Sequence, residues 1–278
     1  MSTALVLGGG GVTGIAWMTG LLHAFEQCGV DLTTADRLIG TSAGSVVAAQ
    51  LGAGRPLSKL YDQQTQPAAK EIGAKFKAPD LLRFAGLMAR AHQAPNRLAR
   101  LGAAAKQMHP ELSTARQEVI RGRLGDMDWP TDRDLQITAV DIETGELMVW
   151  TKDSGCDVVE AVASSCAVPV VWPPVEINGR FYMDGGVRST TNAYLAEGCD
   201  TVVVIAPIPA STKFSASKIP SEVLMSGARR WAMVSPDAQS RAAIGKNVLD
   251  PGKRVASALA GYAQGLRQAE EMAAGWNA

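Results

Sequence analysis

The chain has 278 residues, of which 46% are hydrophobic and 19% charged, and its 27 basic side chains balance its 27 acidic ones. This composition is typical of a folded globular protein and excludes a largely disordered chain. Because the formal net charge is zero, the chain has no overall electrostatic attraction to phosphate polymers, and we expect no nucleic-acid partner.

The first fifty residues have a β-α-β-α pattern. A short apolar run over residues 4–7 ends in four glycines, after which apolar residues recur at helical spacing until Gly29. Residues 37–39 predict a second short strand, and Gly40-Thr41-Ser42-Ala43-Gly44 leads into a second helix. A strand-helix-strand unit is almost always a right-handed crossover between parallel strands, so both strands end at the same edge of the sheet. We therefore expect the glycine loop and Ser42 to face each other.

Residues 55–130 change to helical segments that prolines interrupt, which indicates a helical cap inserted into the fold. Within them, residues 83–123 contain eight basic and two acidic side chains, an excess of six positive charges. Arg83 and Arg90 flank an apolar face, as in a basic amphipathic helix, and one hypothesis is that this region contacts an anionic membrane surface. The alternative is a solvated helix face that packs on the core.

The elements predicted after the cap are strands over residues 135–140, 147–150 and 201–206, a helix near 158–163, and mostly helical segments over 222–233 and 255–272. Together the elements predict an α/β protein of three layers, in which helices flank a mostly parallel central sheet. We expect a single domain over residues 1–278, with a core at about 4–54 and 131–210, a helical cap at about 55–130 and C-terminal helices at about 219–278.

The glycine loop has the sequence Gly9-Gly10-Gly11-Val12-Thr13-Gly14, which matches the G-x-G-x-x-G pattern of dinucleotide-binding loops. That interpretation needs an acidic residue at the end of the second strand, whereas Asp31 and Asp36 lie before it. The second interpretation is that consecutive glycines expose backbone N–H groups at a helix N-terminus, where they hold a developing anion. A purely structural tight turn is the third alternative.

Gly40-Thr41-Ser42-Ala43-Gly44 matches the nucleophile-elbow pattern G-x-S-x-G. Small residues are needed two positions before and after the serine, because the turn from strand to helix is sharp and its backbone segments nearly touch. Ser42 would then lie at the apex of the turn. A simple helix N-cap explains the pentapeptide equally well when it is taken alone, but its position opposite the glycine loop favours a nucleophile.

The general base cannot come from the usual Ser-Asp-His triad of α/β-hydrolases, in which the histidine follows the other two residues in the chain. The only histidines are at positions 23, 92 and 109, and we interpret them as surface or packing residues. Asp184 is the best-placed carboxylate, since Gly185 and Gly186 after it allow a close approach of the chain. An ordinary aspartate-glycine turn is the alternative interpretation.

These three motifs, in this order and spacing, resemble those of the patatin-like phospholipases. The segments Thr138-Ala139-Val140-Asp141-Ile142-Glu143-Thr144-Gly145-Glu146 and Ala163-Ser164-Ser165-Cys166-Ala167-Val168-Pro169 are also similar to family segments. The resemblance implies a catalytic dyad without histidine, with Ser42 as nucleophile and Asp184 as general base. It also implies an oxyanion hole of backbone N–H groups from Gly9, Gly10 and Gly11, chiefly the last two. The expected substrate is a lipid or another acyl ester, hydrolysed at a carboxylic ester bond.

Thr13 departs from the family pattern, which usually has Arg or Lys two residues after the glycine triplet. The departure removes a fixed cation beside the anion site, and we hypothesise that Arg188 compensates for it. A catalytically weakened lipid-binding or interaction module of the same fold is therefore the alternative function.

No cofactor and no metal site is expected. The four cysteines are widely spaced without a C-x-x-C pair, which favours buried free thiols. The N-terminus lacks the basic flank and apolar stretch of a signal peptide, and no run approaches the roughly 18 to 20 apolar residues that span a bilayer. We therefore predict a cytoplasmic protein whose membrane contact is peripheral.

Overall fold

The computed structural model describes residues 1–66, 97–106, 113–169, 171–208 and 219–276. Within them, the strands are β1 Thr3–Leu7, β2 Arg37–Thr41, β3 Asp134–Asp141, β4 Leu147–Trp150, β5 Val175–Ile177, β6 Arg180–Asp184, β7 Thr201–Ile205 and β8 Arg230–Val234. The described helices are α1 Gly11–Gln27, α2 Ala43–Gly52, α3 Leu57–Thr65, α4 Arg97–Lys106, α5 Ser113–Leu124, α6 Val158–Ser165, α7 Ile219–Met225, α8 Ala238–Ile244 and α9 Arg254–Trp276.

All eight strands belong to one sheet, in the order β5-β6-β3-β2-β1-β7-β8, with β4 paired to β3 outside this path. Strand β1 is parallel to β2 and β7, β2 is parallel to β3, and β7 is parallel to β8. The pairs β3-β4, β3-β6 and β5-β6 are antiparallel. The prediction of an α/β fold with a mostly parallel sheet is therefore confirmed.

Both faces of the sheet are covered, as alternate residues of β1 show. Leu5 and Leu7 belong to the larger apolar cluster, together with side chains of α1 and α2, while Ala4 and Val6 belong to a second cluster with Val223 of α7. Strands that are buried on both faces consist almost wholly of apolar residues. This burial explains why residues 4–7 of β1 are all apolar and do not alternate with polar residues.

Helices α1 and α9 are in direct backbone contact. A Cβ atom added at Gly261 would lie 2.1 Å from the carbonyl oxygen of Trp17, and one added at Gly20 would lie 2.1 Å from that of Ala258. Real Cβ atoms do not approach other atoms this closely, so glycine is needed at the crossing. The contact buries α1 between the sheet and α9, and every residue of the helix from Thr13 to Phe25 is buried, whichever side it lies on.

The described part of the predicted cap contains α3, α4 and α5. Two arginine side chains hold the C-terminal ends of two of these helices: Arg55 donates hydrogen bonds to the carbonyl oxygens of Arg123 and Leu124, and Arg254 donates to those of Gln63 and Gln66. A cation at a helix C-terminus is favourable, because the last carbonyl groups carry partial negative charge. Arg83, Arg90, His92 and His109, which the sequence analysis singled out, lie outside the described residues.

The helix predicted over residues 222–233 is wrong in its second half. Helix α7 ends at Met225, and residues 230–234 form β8, which pairs in parallel with β7. Arg, Ala and Met in this segment are good helix formers, but burial of Ala232 and Val234 against one face of the sheet decides the conformation. Trp231 and Met233 remain partly exposed on the other face.

The four cysteines are free thiols. Cys166 and Cys199 are buried and Cys156 is half-buried, but Cys28 is exposed, so the prediction of burial is wrong for Cys28. Burial, together with the nearby carboxylates of Glu160 and Asp157, raises the pKa of Cys156 to about 11. The Cys156 thiol therefore stays protonated at neutral pH.

The α1-α9 crossing makes a prediction about stability. Gly261→Ala is expected to lower the free energy of unfolding by about 3 kcal/mol, because the added methyl group must separate two backbones. Gly275→Ala, in the same helix but with no atom within 4 Å of the added Cβ, is expected to raise it by about 0.5–1 kcal/mol. Urea unfolding followed by circular dichroism measures both values. Equal effects of the two variants would contradict the close crossing.

Candidate active site

Ser42 lies at the turn between β2 and α2, at the edge of the sheet where the parallel strands end. Its backbone has φ 54° and ψ −117°, a conformation that residues other than glycine rarely adopt. Such strain persists only when the surrounding structure holds it, and it is concentrated at functional sites. The residue as a whole is 9% exposed.

Gly40 and Gly44 make this turn sterically possible. A Cβ atom added at Gly44 would lie 1.9 Å from the carbonyl oxygen of Leu7, and one added at Gly40 would lie 2.5 Å from the Cα atom of Ser45. Any side chain at either position would therefore displace β1 or open the turn. The first turn of α2 and the end of β1 touch through their backbones.

Asp184 is the hydrogen-bond partner of Ser42. The Ser42 hydroxyl donates to Asp184 Oδ2 at 2.6 Å, while Asp184 Oδ1 accepts the N–H of Gly186 at 2.7 Å. Asp184 is 3% exposed, and Gly185 lies so close to Thr138 that an added Cβ would meet its hydroxyl at 2.4 Å. One carboxylate oxygen is thus held by the backbone and the other is directed at Ser42.

A buried network of polar side chains lies next to Ser42 and Asp184. The hydroxyl groups of Thr41 and Thr138 are 2.9 Å apart, and the side-chain amide of Asn192 donates to them at 3.1 and 3.3 Å and to the Ser189 carbonyl at 3.0 Å. Asn192 has the left-handed backbone conformation, with φ 51°, which asparagine tolerates better than most residues. The network connects β2, β3 and the segment after Asp184. Sequence reasoning missed it, because its members are far apart in the chain.

The backbone of Ser42 is held by the end of α6. Its N–H donates to the Ser165 hydroxyl at 2.9 Å, and its carbonyl accepts the Cys166 thiol at 3.2 Å. The same carbonyl also accepts the N–H and the hydroxyl of Ser45, at 2.9 and 2.6 Å. Ser165 and Cys166 belong to a segment that supported the family resemblance, but no pattern in the sequence indicated these contacts.

The glycine loop faces Ser42, since a Cβ atom added at Gly9 would lie 3.5 Å from the Ser42 Cβ. The N–H of Gly9 donates to the Thr190 carbonyl at 2.8 Å and is therefore engaged. Within the part of the chain that the structure describes, the N–H groups of Gly10 and Gly11 donate to no other residue. Gly14 lies one turn further into α1 and contacts Pro207.

Thr13 and Arg188 lie in different environments. Thr13 is fully buried, and both its N–H and its hydroxyl donate to the carbonyl oxygen of Val248, each at 3.1 Å. Arg188 is exposed. His23 is buried in α1 between Tyr61 and Tyr262, with ring centroids 5.2 and 5.8 Å away, and so has a packing role.

A cavity of about 240 Å³ opens beside the helices that follow the glycine loop and Ser42. Its wall combines apolar side chains of α1 and α2 with three arginines and three glutamines, and no acidic residue is among its described lining residues. The apolar side chains are those of Val12, Ile15 and Val46, and the arginines are Arg55, Arg123 and Arg254.

Comparisons with known proteins agree with the resemblance found in the sequence. The family model described as Patatin-like phospholipase matches residues 5–197, more than half of the chain. No curated protein matches the chain significantly.

Among solved structures, VipD from Legionella pneumophila aligns with a TM-score of 0.45 and 11% identity, over 98% of this chain and 67% of that one. The type III effector protein ExoU aligns with a TM-score of 0.44 and 15% identity, over 98% and 53%. Full-length ExoU in complex with SpcU, from Pseudomonas aeruginosa, aligns with a TM-score of 0.40 and 16% identity, over 98% of this chain and 52% of that one. The chain thus spans about half the length of the ExoU chains.

The contact between Ser42 and Ser165 makes a prediction about the turn. Ser165→Ala removes the acceptor of a buried N–H, and an unsatisfied buried donor costs about 1–3 kcal/mol of unfolding free energy. Ser45→Ala is the matched control, because the Ser42 carbonyl retains two other donors and the expected loss is below about 1 kcal/mol. Chemical denaturation of the two variants beside wild type gives the comparison. A loss in Ser165→Ala no larger than in Ser45→Ala would refute the assigned role.

Proposed function

The chain belongs to the patatin-like phospholipase family, and on this premise we propose that it hydrolyses lipid esters with Ser42 as nucleophile and Asp184 as general base. Membership of the family assigns lipid acyl hydrolysis in general. The observation that supports the assignment of Ser42 and Asp184 is the 2.6 Å hydrogen bond from Ser42 Oγ to Asp184 Oδ2, formed at a strained turn opposite the glycine loop. In this proposal the chain forms a single domain, with residues 55–130 as its cap.

Acylation starts with attack of Ser42 Oγ on the ester carbonyl carbon. Asp184 Oδ2 takes the hydroxyl proton as the new C–O bond forms, and the same proton is then given to the oxygen of the leaving alcohol. The hydrogen bond from Gly186 to Oδ1 keeps the carboxylate oriented during both transfers. The carboxylate thus performs alone the proton transfers for which a triad uses histidine.

The oxyanion of the tetrahedral intermediate would be bound by the N–H groups of Gly10 and Gly11. Gly9 is less suitable than the sequence motif implies, because its N–H already donates to Thr190. The N-terminus of α1 adds partial positive charge at the same place. Backbone donors of this kind typically contribute about 10²–10³ in rate each. Deacylation repeats the sequence with water, which Asp184 deprotonates, and releases the fatty acid.

The cavity beside α1 and α2 suits an anionic amphiphile. Its apolar wall belongs to the two helices that begin at the glycine loop and at Ser42, while the three arginines supply positive charge. We assign it to the lipid substrate on this basis. We also propose that the surface of the protein contacts an anionic membrane through α4 and α5. Arg100 and Lys106 of α4 and Arg121 of α5 are exposed there. Within the described residues, no helix is both long and apolar enough to cross a bilayer.

Covalent labelling tests the nucleophile. A fluorophosphonate probe is expected to label wild type and Ser58→Ala, a variant at an exposed serine, but not Ser42→Ala. Mass spectrometry locates the adduct. Equal labelling of wild type and Ser42→Ala would refute the mechanism.

The Asp184→Asn variant tests the general base. It keeps an acceptor for the Gly186 N–H but lacks the base, so turnover of acyl esters should fall by about 10²–10⁴-fold with an unchanged circular dichroism spectrum.

Sedimentation with vesicles tests the proposed membrane contact. Each Lys or Arg near an anionic surface contributes about 1 kcal/mol, so Arg100→Gln with Arg121→Gln should weaken binding to phosphatidylserine vesicles about 30-fold. Arg229→Gln with Arg267→Gln removes two exposed charges elsewhere and serves as the control. Similar binding of the two double variants would exclude α4 and α5 as the contact surface.

A further inference from the structure

The loop between α8 and α9 packs on the glycine loop. Thr13 binds it by two hydrogen bonds to one atom, since its N–H and its hydroxyl both donate to the carbonyl oxygen of Val248. A carbonyl oxygen has two lone pairs and can accept both donors. The N–H groups of a helix's first turn lack partners within the helix, and Val248 supplies one for Thr13.

The side chain of Leu249 contacts the loop at Gly11. A Cβ atom added at Gly11 would lie 2.5 Å from the Val248 carbonyl oxygen and 2.7 Å from Leu249 Cδ2. Leu249 is half-buried, so part of its side chain faces outward from this contact. Gly11 is also a proposed oxyanion donor, which makes Leu249 an apolar neighbour of the proposed hole.

The conformation of this loop is fixed by its own hydrogen bonds. Asn247 Oδ1 accepts the N–H of Leu249 at 3.1 Å, and Asp250 Oδ1 accepts that of Gly252 at 2.9 Å. The N–H of Asp250 donates to the Asn247 carbonyl at 3.1 Å. Leu249 is therefore carried on a defined turn whose external anchor is Thr13.

We infer that Leu249 determines which acyl groups fit beside the oxyanion hole and that Thr13 is the residue that positions it. The inference rests on the proposed function, because it concerns the acyl group that would be attached to Ser42. If the carbonyl carbon lies between Ser42 Oγ and the N–H groups of Gly10 and Gly11, the first carbons of the acyl chain lie beside the residues that touch the glycine loop. Leu249 is such a residue, and it restricts branching close to the carbonyl.

The test compares two esters that differ only in the shape of the acyl group. The kcat/KM for 4-nitrophenyl 2-methylpropanoate is divided by that for 4-nitrophenyl butanoate, which cancels effects on overall activity. Leu249→Ala should raise this ratio about tenfold, a typical value for a change of a few carbon atoms in an apolar pocket. Thr13→Val keeps the N–H but loses the hydroxyl, so it should shift the ratio in the same direction by about two- to fivefold.

Two further variants separate positioning from a general effect on α1. Thr13→Ser retains the hydroxyl and should restore the wild-type ratio. Thr19→Val removes a buried hydroxyl that donates to Ile15 within the same helix, so it should lower the melting temperature as Thr13→Val does but leave the ratio unchanged.

The outcomes distinguish this inference from the proposed function. An unchanged ratio in Leu249→Ala and Thr13→Val, in an active enzyme, overturns the inference alone, as does an equal shift in Thr19→Val. If wild type hydrolyses neither ester and does not react with a fluorophosphonate, the proposed function itself fails.

Discussion

The architecture of the site depends on one steric constraint, the backbone contact between the end of β1 and the first turn of α2. Gly44 lies so close to the Leu7 carbonyl that not even a methyl group fits between them. This proximity places the glycine loop opposite Ser42, where a Cβ atom added at Gly9 would lie 3.5 Å from the Ser42 Cβ, and the strained conformation of Ser42 belongs to the same turn. Ser42, the proposed nucleophile, and the glycine loop, the proposed oxyanion donor, thus face each other because two successive parallel strands end side by side.

The other contacts of the site maintain this arrangement from neighbouring strands. Gly8 donates to Ile205 at the end of β7, and Gly9 donates to Thr190, so the glycine loop is bound by β7 and by the segment after Asp184. Thr190 follows Asp184 closely in the chain, and the same segment carries Asn192 of the buried network. The position of the carboxylate and that of the glycine loop are therefore coupled through one short, hydrogen-bonded segment.

The parts of the fold that local sequence determines could be predicted. The two glycine motifs fix the turns after β1 and β2, and the apolar runs over residues 4–7 and 202–206 indicate buried strands of a parallel sheet. Strand β8 could not be predicted, because its residues favour a helix and only pairing with β7 makes them a strand. The contacts of Ser165 with Ser42 and of Val248 with Thr13 join residues more than 120 positions apart. A pattern in a single sequence contains no information on such pairs.

Thr13 illustrates why a departure from a motif has to be judged in three dimensions. Its position in the sequence is one where the family usually has Arg or Lys, so the sequence alone suggests a weaker enzyme that lacks a cation near the proposed oxyanion hole. In the structure, however, the N–H groups of Gly10 and Gly11 at the N-terminus of α1 have no acceptor among the described residues, and a helix terminus carries about half a positive charge without any basic side chain. The buried hydroxyl meanwhile anchors a loop from the far end of the chain at this terminus. At the position where the family pattern has a basic side chain, this chain therefore has a short buried residue that ties the loop between α8 and α9 to the start of α1.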